Sequence, residues 1–135
     1  MRDIIFRAKR LDNGEWVEGY YIGEQKMVGK VAHWILDIND IFGRFHYRSI
    51  VPDTLGQFTN VTDKNGKRIF EGDVCKINHH GVADIAVISF EHGTFYINPT
   101  MGRIREMSLW NAWYNDDDIE VVNNIYEDVC ELPAP

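Results

Sequence analysis

The sequence predicts a β-dominated α+β fold built mainly from antiparallel hairpins, with one or two short helices. The 135-residue chain carries seven Phe, six Tyr and four Trp, and aromatic side chains pack well on pleated strands. Short apolar runs alternate with turn residues such as Asn-Gly, which is typical of hairpins. The length fits one domain, so we expect a single domain over residues 1–135 with two lobes, residues 1–56 and 57–135.

The first lobe is predicted to consist of hairpins. Residues 4–9 alternate between apolar and polar side chains, and Asn13-Gly14 separates them from a second strand at residues 16–22. We expect a type I′ turn at Asn13-Gly14, because both central residues of that turn have φ > 0. Gly19 in the second strand indicates a bulge or a close approach by another backbone. Two further strands are predicted at residues 31–36 and 41–51.

The stretch from residue 57 to residue 77 organises the rest of the chain as strand, turn, strand, turn, strand. Asp63 can accept a hydrogen bond from the backbone two residues further on, and Gly66 tolerates φ > 0, so a hairpin turn is predicted there. Gly72 marks a second corner. This motif specifies architecture and brings no chemistry with it. Its defining residues are Asp63, Gly66, Gly72 and Asp73.

A meander is predicted beyond Gly72. It has the size that closes a small SH3-like barrel. Residues 101–115 partly match helical spacing and predict a short helix or an irregular arm. A last strand is expected near residues 119–126, followed by one helical turn at residues 127–132. The three strands of the meander are residues 73–77, 83–90 and 94–98.

The net charge of the chain indicates which classes of partner it can bind. The formal net charge is −7, so the average field repels a phosphate backbone and disfavours binding to duplex DNA. Residues 116–131 are acidic and would suit a basic host protein, or would mimic a nucleic-acid backbone. A solvated face is the commoner role of such a run.

The sequence also predicts where in the cell the protein works. No run approaches the ~18 apolar residues that a membrane span needs, and the start at Met1 is followed by no apolar signal-peptide core. We therefore expect a chain that works in the cytoplasm without contacting a membrane. In that reducing compartment Cys75 and Cys130 are expected to remain thiols.

Three motifs match a known family. They are RDIIFRA at residues 2–8, DKNGK with IFEGDV at residues 63–74, and VVNNIYE at residues 121–127. With these motifs the chain resembles the YopX family of small proteins from bacteriophages and bacterial prophages. Departures from the family pattern are Asn123, where Gly is usual, and Asp128-Val129, where Asn-Pro is usual. The resemblance implies a strand-rich fold with a small curled barrel and a phage origin. It implies no assigned activity, so no functional residue carries over.

Histidines provide the best metal-binding candidates. His79, His80 and His92 have the carboxylates of Asp84 and Glu91 nearby in the sequence. Two turns at one end of a barrel would bring such groups together in a set that suits zinc. The spacing matches no ligand motif, however, and adjacent residues of a strand point to opposite faces. Polar turn residues are the favoured interpretation, so no metal or other cofactor is predicted.

Two features of the sequence are candidates for catalysis. Cys75 would be a nucleophile only beside a base, whereas its apolar strand predicts a core position. Glu71 and Asp73 flank Gly72, and carboxylates so placed usually cap backbone amides. The glycines are isolated and form no phosphate-binding loop. We predict no catalytic residue, and metal-dependent hydrolysis ranks third among the functions considered.

Nucleic-acid binding by the first hairpin is the alternative function. This hairpin combines cationic and aromatic side chains, which cooperate in stacking platforms for single-stranded nucleic acid. Packing within the core explains the aromatic residues more simply. The candidate residues are Arg7, Lys9, Arg10, Trp16 and Tyr20, with Tyr21 and Trp34 close to them in the same cluster.

The favoured function is a non-catalytic binding or assembly protein of a phage or prophage. We expect its partner to be a protein. We also expect the chain to form homo-oligomers, because short aromatic-rich strands leave edges that associate. The sequence names no specific partner.

Overall fold

The structure, a computed structural model, describes residues 2–40 and 46–127. The chain falls into two compact units, Met1–Phe58 and Thr59–Pro135. The described strands form two antiparallel sheets and are accompanied by a single short α-helix. The β-dominated α+β class predicted from the sequence is therefore confirmed.

The first unit is a sheet of hairpins. Its strands lie in the order β4-β3-β2-β1, and the start of β5 lies beside β1, where Phe6 faces Gln57. The strand β5 continues into the second unit. The elements are β1 (Phe6–Lys9), β2 (Trp16–Met27), β3 (Lys30–Asp37), β4 (Tyr47–Ser49), a 3-10 turn (Pro52–Thr54) and β5 (Gly56–Thr62). Residues 41–45 of the predicted fourth strand lie outside the described part of the chain.

The core of the first unit is small. Ala8 and Val17 are cross-strand partners in β1 and β2, and they pack with the buried Ile35 and Ile50. Burial of these alternate positions gives the sheet one apolar face. The backbone approach predicted at Gly19 is confirmed, because a Cβ there would lie 1.7 Å from the Leu36 carbonyl oxygen.

The turn between β1 and β2 differs from the prediction. Gly14 has φ +71° but Asn13 does not have a positive φ, so the type I′ turn is wrong. The Arg10 N–H donates to the Glu15 carbonyl at 2.8 Å, which closes a four-residue loop. Asn13 shapes this loop with its side chain, whose oxygen accepts from the Glu15 N–H at 2.9 Å. An Asx turn replaces the expected pair of left-handed residues.

The second unit holds a meander of three strands within a five-stranded sheet. The order is β10-β9-β8-β7-β11, and β6 pairs with β5 as the last strand of the other, six-stranded sheet. The elements are β6 (Arg68–Phe70), β7 (Asp73–His79), β8 (Val82–Glu91), β9 (Thr94–Pro99), β10 (Met107–Ser108), α1 (Leu109–Tyr114) and β11 (Asp118–Asn124). The strands described here do not close into a barrel, because β10 and β11 stand at opposite ends of the order. The SH3-like barrel is not found.

The core of the second unit is the larger one. Alternate residues of β7 and β8 point into it, and α1 contributes two residues to the same cluster. Cys75 is fully buried there, whereas Cys130 and the predicted helical turn beyond residue 127 lie outside the described residues. The buried residues are Ile69, Cys75, Ile77, Ala86, Ile88, Ile97, Ile104, Leu109, Ala112 and Ile119.

The corner at Gly72 depends on glycine for two reasons. Its φ is +90°, and a Cβ would lie 2.8 Å from Cε2 of Tyr126. The Gly72 N–H donates to the Ile88 carbonyl at 2.8 Å, and its carbonyl accepts from the Ile125 N–H at 2.9 Å. A side chain at this position would force these neighbours apart.

No helix in residues 2–40 or 46–127 has the length and apolar character needed to cross a membrane.

Candidate protein-binding surface

Of the three histidines predicted as possible metal ligands, His79 and His80 lie together, with ring centroids 4.1 Å apart, and His92 lies apart from them. His80 and Gly81, with φ of +50° and +82°, form the two-residue turn from β7 to β8. His92 and Gly93, at +51° and +80°, form the turn from β8 to β9. Both are type I′ turns. The ten residues of β8 separate them by about 30 Å, because successive turns of a meander fall at opposite ends of the strand between them.

Two carboxylates near these histidines in the sequence or the fold, Asp84 and Asp117, are engaged in the fold, whereas Glu91 is exposed. Asp117, whose side chain is nearly buried, accepts hydrogen bonds from Nδ1 of His79 at 2.7 and 2.8 Å. Asp84 is buried and accepts from four backbone N–H groups, those of Ile85, Met101, Arg103 and Ile104. Burial acts to raise the pKa of Asp84, but these four donors outweigh it and lower the pKa. No group of three or more potential ligands comes together within the described ranges.

Two of the residues considered for catalysis, Cys75 and Asp73, serve the fold. Cys75 lies in the core. Asp73 is fully buried, and its Oδ2 accepts a hydrogen bond from the Phe70 N–H at 2.8 Å, which is the capping role expected around Gly72.

The first hairpin packs its cations inward. Arg7 and Lys9 are only 7% and 3% exposed. The Arg7 guanidinium lies 4.7 Å and the Lys9 ammonium 5.3 Å from the centre of the Trp16 ring. These cation–π contacts hold the three side chains against their own sheet, so they do not form an open platform for bases.

The other nucleic-acid candidates are dispersed. Arg10 forms a bidentate ion pair with Asp12, at 2.7 and 3.0 Å. Tyr20 is 53% exposed. Tyr21 is turned toward His33, whose Nδ1 lies 2.6 Å from its hydroxyl. Trp34 lines an open cleft of about 390 Å³ with Leu11, Asp12, Tyr47, Arg48 and Ser49.

The helix α1 carries an exposed cluster of large aromatic residues. Trp110, Trp113 and Tyr114 are 57%, 55% and 68% exposed, and we call these three the aromatic face. The rings of Trp110 and Tyr114 stack with centroids 5.0 Å apart and planes 17° apart, as side chains four apart on a helix can. The sequence predicts the helical spacing here, but it does not predict that the aromatic side chains face solvent.

The other side of α1 anchors the aromatic face. Leu109 and Ala112 are buried in the core of the second unit. The helix begins at Ser108, whose Oγ accepts from the Asn111 N–H at 3.1 Å in the usual manner of an N-cap. The helix has only six residues. A helix this short is held by its packing against the core, because intrinsic propensity alone does not stabilise so few turns.

The end of α1 is a Schellman motif. The Asp116 N–H donates to the Trp113 carbonyl and the Asp117 N–H to the Ala112 carbonyl, each at 3.1 Å. Asp116 has φ +57° at the position where glycine or asparagine is usual. The motif folds the exposed Asp116 back against the turn that carries Trp113.

The stretch of chain that carries the aromatic face is acidic. The chain from Glu106 to Glu120 contains five carboxylates and no Lys, Arg or His. Asp116 and Asp118 are exposed, whereas Asp117 bonds with His79 and Glu120 with Lys64 at 3.4 Å. A large exposed aromatic surface next to exposed carboxylates is typical of an interaction site.

Comparisons with known proteins are consistent with the motifs. No curated protein gives a match to this chain. The family model described as YopX protein matches residues 5–132, nearly the whole chain. The chain belongs to the YopX family.

Proposed function

We propose that this chain is a non-catalytic protein-binding or assembly module whose contact surface is the aromatic face. The observation that carries the proposal is the exposure of Trp110, Trp113 and Tyr114 on one short helix. Trp and Tyr dominate the binding energy of protein interfaces, because they bury a large area for few rotatable bonds.

The rigidity of α1 supports this role. Its buried residues Leu109 and Ala112 hold it in the core, and its two ends are capped by hydrogen bonds. A partner therefore does not have to order the helix on binding, and less of the interaction energy is lost to conformational entropy.

The proposed setting follows from the family resemblance. The protein is encoded by a phage or prophage and acts in the cytoplasm of the bacterial host. Catalysis is not part of the proposal, because two of the residues singled out for it serve the fold: Asp73 caps a corner and Cys75 lies in the core.

Self-association is part of the same proposal. The three-residue strand β4 stands at one end of the strand order in the first unit and carries the exposed Tyr47. An exposed aromatic side chain such as Tyr47 provides apolar area that a second copy of the chain can cover.

Quantitative affinity capture from a lysate of the host tests the proposal. The tagged wild-type chain is compared with a Trp110→Ala/Trp113→Ala variant. We expect the proteins retained by wild type at stoichiometric amounts to fall to background with the variant. Tyr20→Ala is the matched control, since Tyr20 is exposed to a similar degree but lies in the first unit.

Two results would contradict the proposal. One is capture that is the same for wild type and the double variant. The other is an equal loss with Tyr20→Ala. Analytical ultracentrifugation of the same three proteins measures self-association, for which we expect a concentration-dependent mass above that of one chain.

A further inference from the structure

We propose that the aromatic face recognises a cationic segment of its partner, a stretch of polypeptide rich in arginine or lysine. This inference rests on the proposed function and gives the chemistry of the bound segment. It is carried by the exposed aromatic rings of α1 and by the exposed carboxylates of Asp116 and Asp118, which follow α1 directly in the chain.

Aromatic rings provide the first half of the recognition. A guanidinium or ammonium group is attracted to the face of Trp or Tyr. The molecule already uses this contact within its first unit, where Arg7 lies 4.7 Å from the Trp16 ring. On α1 the rings of Trp113 and of the stacked pair Trp110 and Tyr114 are exposed, so their outer faces are available to a cation.

Carboxylates provide the second half. The Schellman motif bonds Asp116 to the last turn of α1 at the Trp113 carbonyl, and the exposed Asp118 begins β11 two residues later. Of the five acidic residues from Glu106 to Glu120, Asp117 and Glu120 are paired with His79 and Lys64, whereas Glu106, Asp116 and Asp118 are exposed. A segment that alternates cations with small residues would place charges on carboxylates and on ring faces together.

The residue at position 116 is not explained by the helix itself. Asp116 has φ +57°, where an L residue with a Cβ is less favourable than glycine. It also places a negative charge at the negative end of the helix dipole. A residue that opposes its local structure in two ways is expected where another function requires it.

The charge also excludes other occupants. Nucleic acid and an anionic lipid surface would both be repelled by the exposed carboxylates of Asp116 and Asp118. An uncharged apolar segment would leave Asp116 and Asp118 beside it without a partner of opposite charge. A cationic polypeptide satisfies both the rings and the carboxylates.

Fluorescence anisotropy with defined probes tests the inference. The probes are a labelled nine-residue peptide alternating arginine and glycine, the same peptide with glutamine for arginine, and a single-stranded DNA oligonucleotide. We expect the full-length protein to bind the arginine peptide and to bind the other two at least tenfold more weakly. Added salt should weaken the binding, as for any partly exposed charge pair.

Variants locate the binding. Asp116→Asn keeps a residue that tolerates left-handed backbone, so it isolates the charge. We expect about threefold weaker binding with Asp116→Asn and about tenfold with Asp116→Asn/Asp118→Asn, as for exposed ion pairs. Trp113→Ala should weaken binding about fivefold, as for an exposed cation–π contact. Asp53→Asn, at an exposed acid of the first unit, should leave it unchanged.

The inference is overturned if the arginine peptide binds no better than the glutamine peptide, if the oligonucleotide binds as tightly, or if Asp53→Asn weakens binding as much as Asp116→Asn. Any of these results leaves the proposed function intact when capture from the lysate still depends on Trp110 and Trp113. Loss of that dependence removes the proposed function as well, so the two failures are distinguishable.

Discussion

The Asp63 carboxylate accepts a hydrogen bond from the Val121 N–H at 3.0 Å, across 58 positions of the chain. Its other oxygen accepts from the N–H groups of Asn65 and Lys67, each at 2.9 Å. One side chain therefore closes the hairpin turn between β5 and β6 and joins it to β11. The Lys64 N–H adds a bond to the Ile119 carbonyl at 2.9 Å, so the turn covers part of the edge of β11 that could otherwise pair with another chain.

Removing this carboxylate should destabilise the second unit. Asp63→Ala leaves three backbone donors without their acceptor, and we expect it to lower the free energy of unfolding by about 3 kcal/mol. Urea denaturation followed by circular dichroism measures the change. Asp53→Ala is the control, because an exposed residue of this kind should change stability by less than about 0.5 kcal/mol. Equal effects of the two substitutions would contradict the role assigned to Asp63.

The stability of the protein should fall in acid. Burial raises the pKa of Asp63 and of Asp84, but backbone donors outweigh it, and both pKa values lie below the ordinary 3.8. A lowered pKa means that the folded state binds the proton less tightly than the unfolded state. The stabilisation that these two ionised carboxylates give the folded state is thus complete well above pH 3.8. It is lost as the pH falls through their lowered pKa values.

Asp84→Asn tests this pH dependence. The variant cannot lose a proton at position 84, so its free energy of unfolding should decrease less steeply than that of wild type below about pH 4. Urea titrations between pH 7 and pH 3 give the two slopes. The result that would refute the assignment is a variant whose slope in acid equals that of wild type.

The sequence predicted the features that local chemistry determines. The Asp63 and Gly66 turn and the close approach at Gly19 depend on what a short side chain or a missing Cβ permits within a few residues. The prediction of a type I′ turn at Asn13-Gly14 was wrong. The length of that loop depends on the register of the two strands, which places Trp16 opposite Lys9. The structure instead has type I′ turns at His80-Gly81 and His92-Gly93.

Burial was harder to predict than secondary structure. Arg7 and Lys9 looked like an open basic surface because their charges are plain in the sequence, but the ring of Trp16 lies against both. The spacing of Trp110 and Trp113 indicated a helix. It could not indicate which side of that helix packs, because α1 has apolar residues around its circumference and its orientation is set by the contacts of Leu109 and Ala112.

A methyl group at Gly72 should be more harmful than one at Gly66. Both glycines have positive φ, +90° and +80°, so Ala at either is strained by about 1 kcal/mol. At Gly66 a Cβ meets nothing within 4 Å, whereas at Gly72 it lies 2.8 Å from Cε2 of Tyr126. We expect Gly72→Ala to lower the free energy of unfolding by at least about 1 kcal/mol more than Gly66→Ala, through overpacking.

A second substitution separates the two causes at Gly72. In a Tyr126→Ala background the contact with the new Cβ is gone, so the penalty of Gly72→Ala should fall to that of Gly66→Ala. The four unfolding free energies form a double-mutant cycle. A cycle with no coupling between positions 72 and 126 would show that strain in the backbone alone accounts for the effect.

Replacing Asp116 should stabilise the protein. Asp116→Gly removes the Cβ from a residue with φ +57° and removes a negative charge from the C-terminal end of α1. Relief of the left-handed strain and of the unfavourable dipole contact should together raise the free energy of unfolding by about 1 kcal/mol. Thermal and urea unfolding of wild type, Asp116→Asn and Asp116→Gly measure the two contributions, since asparagine removes the charge but keeps the side chain. If Asp116→Gly were instead less stable than wild type, the carboxylate would be supporting the fold, and its placement beside Trp113 would need no partner to explain it.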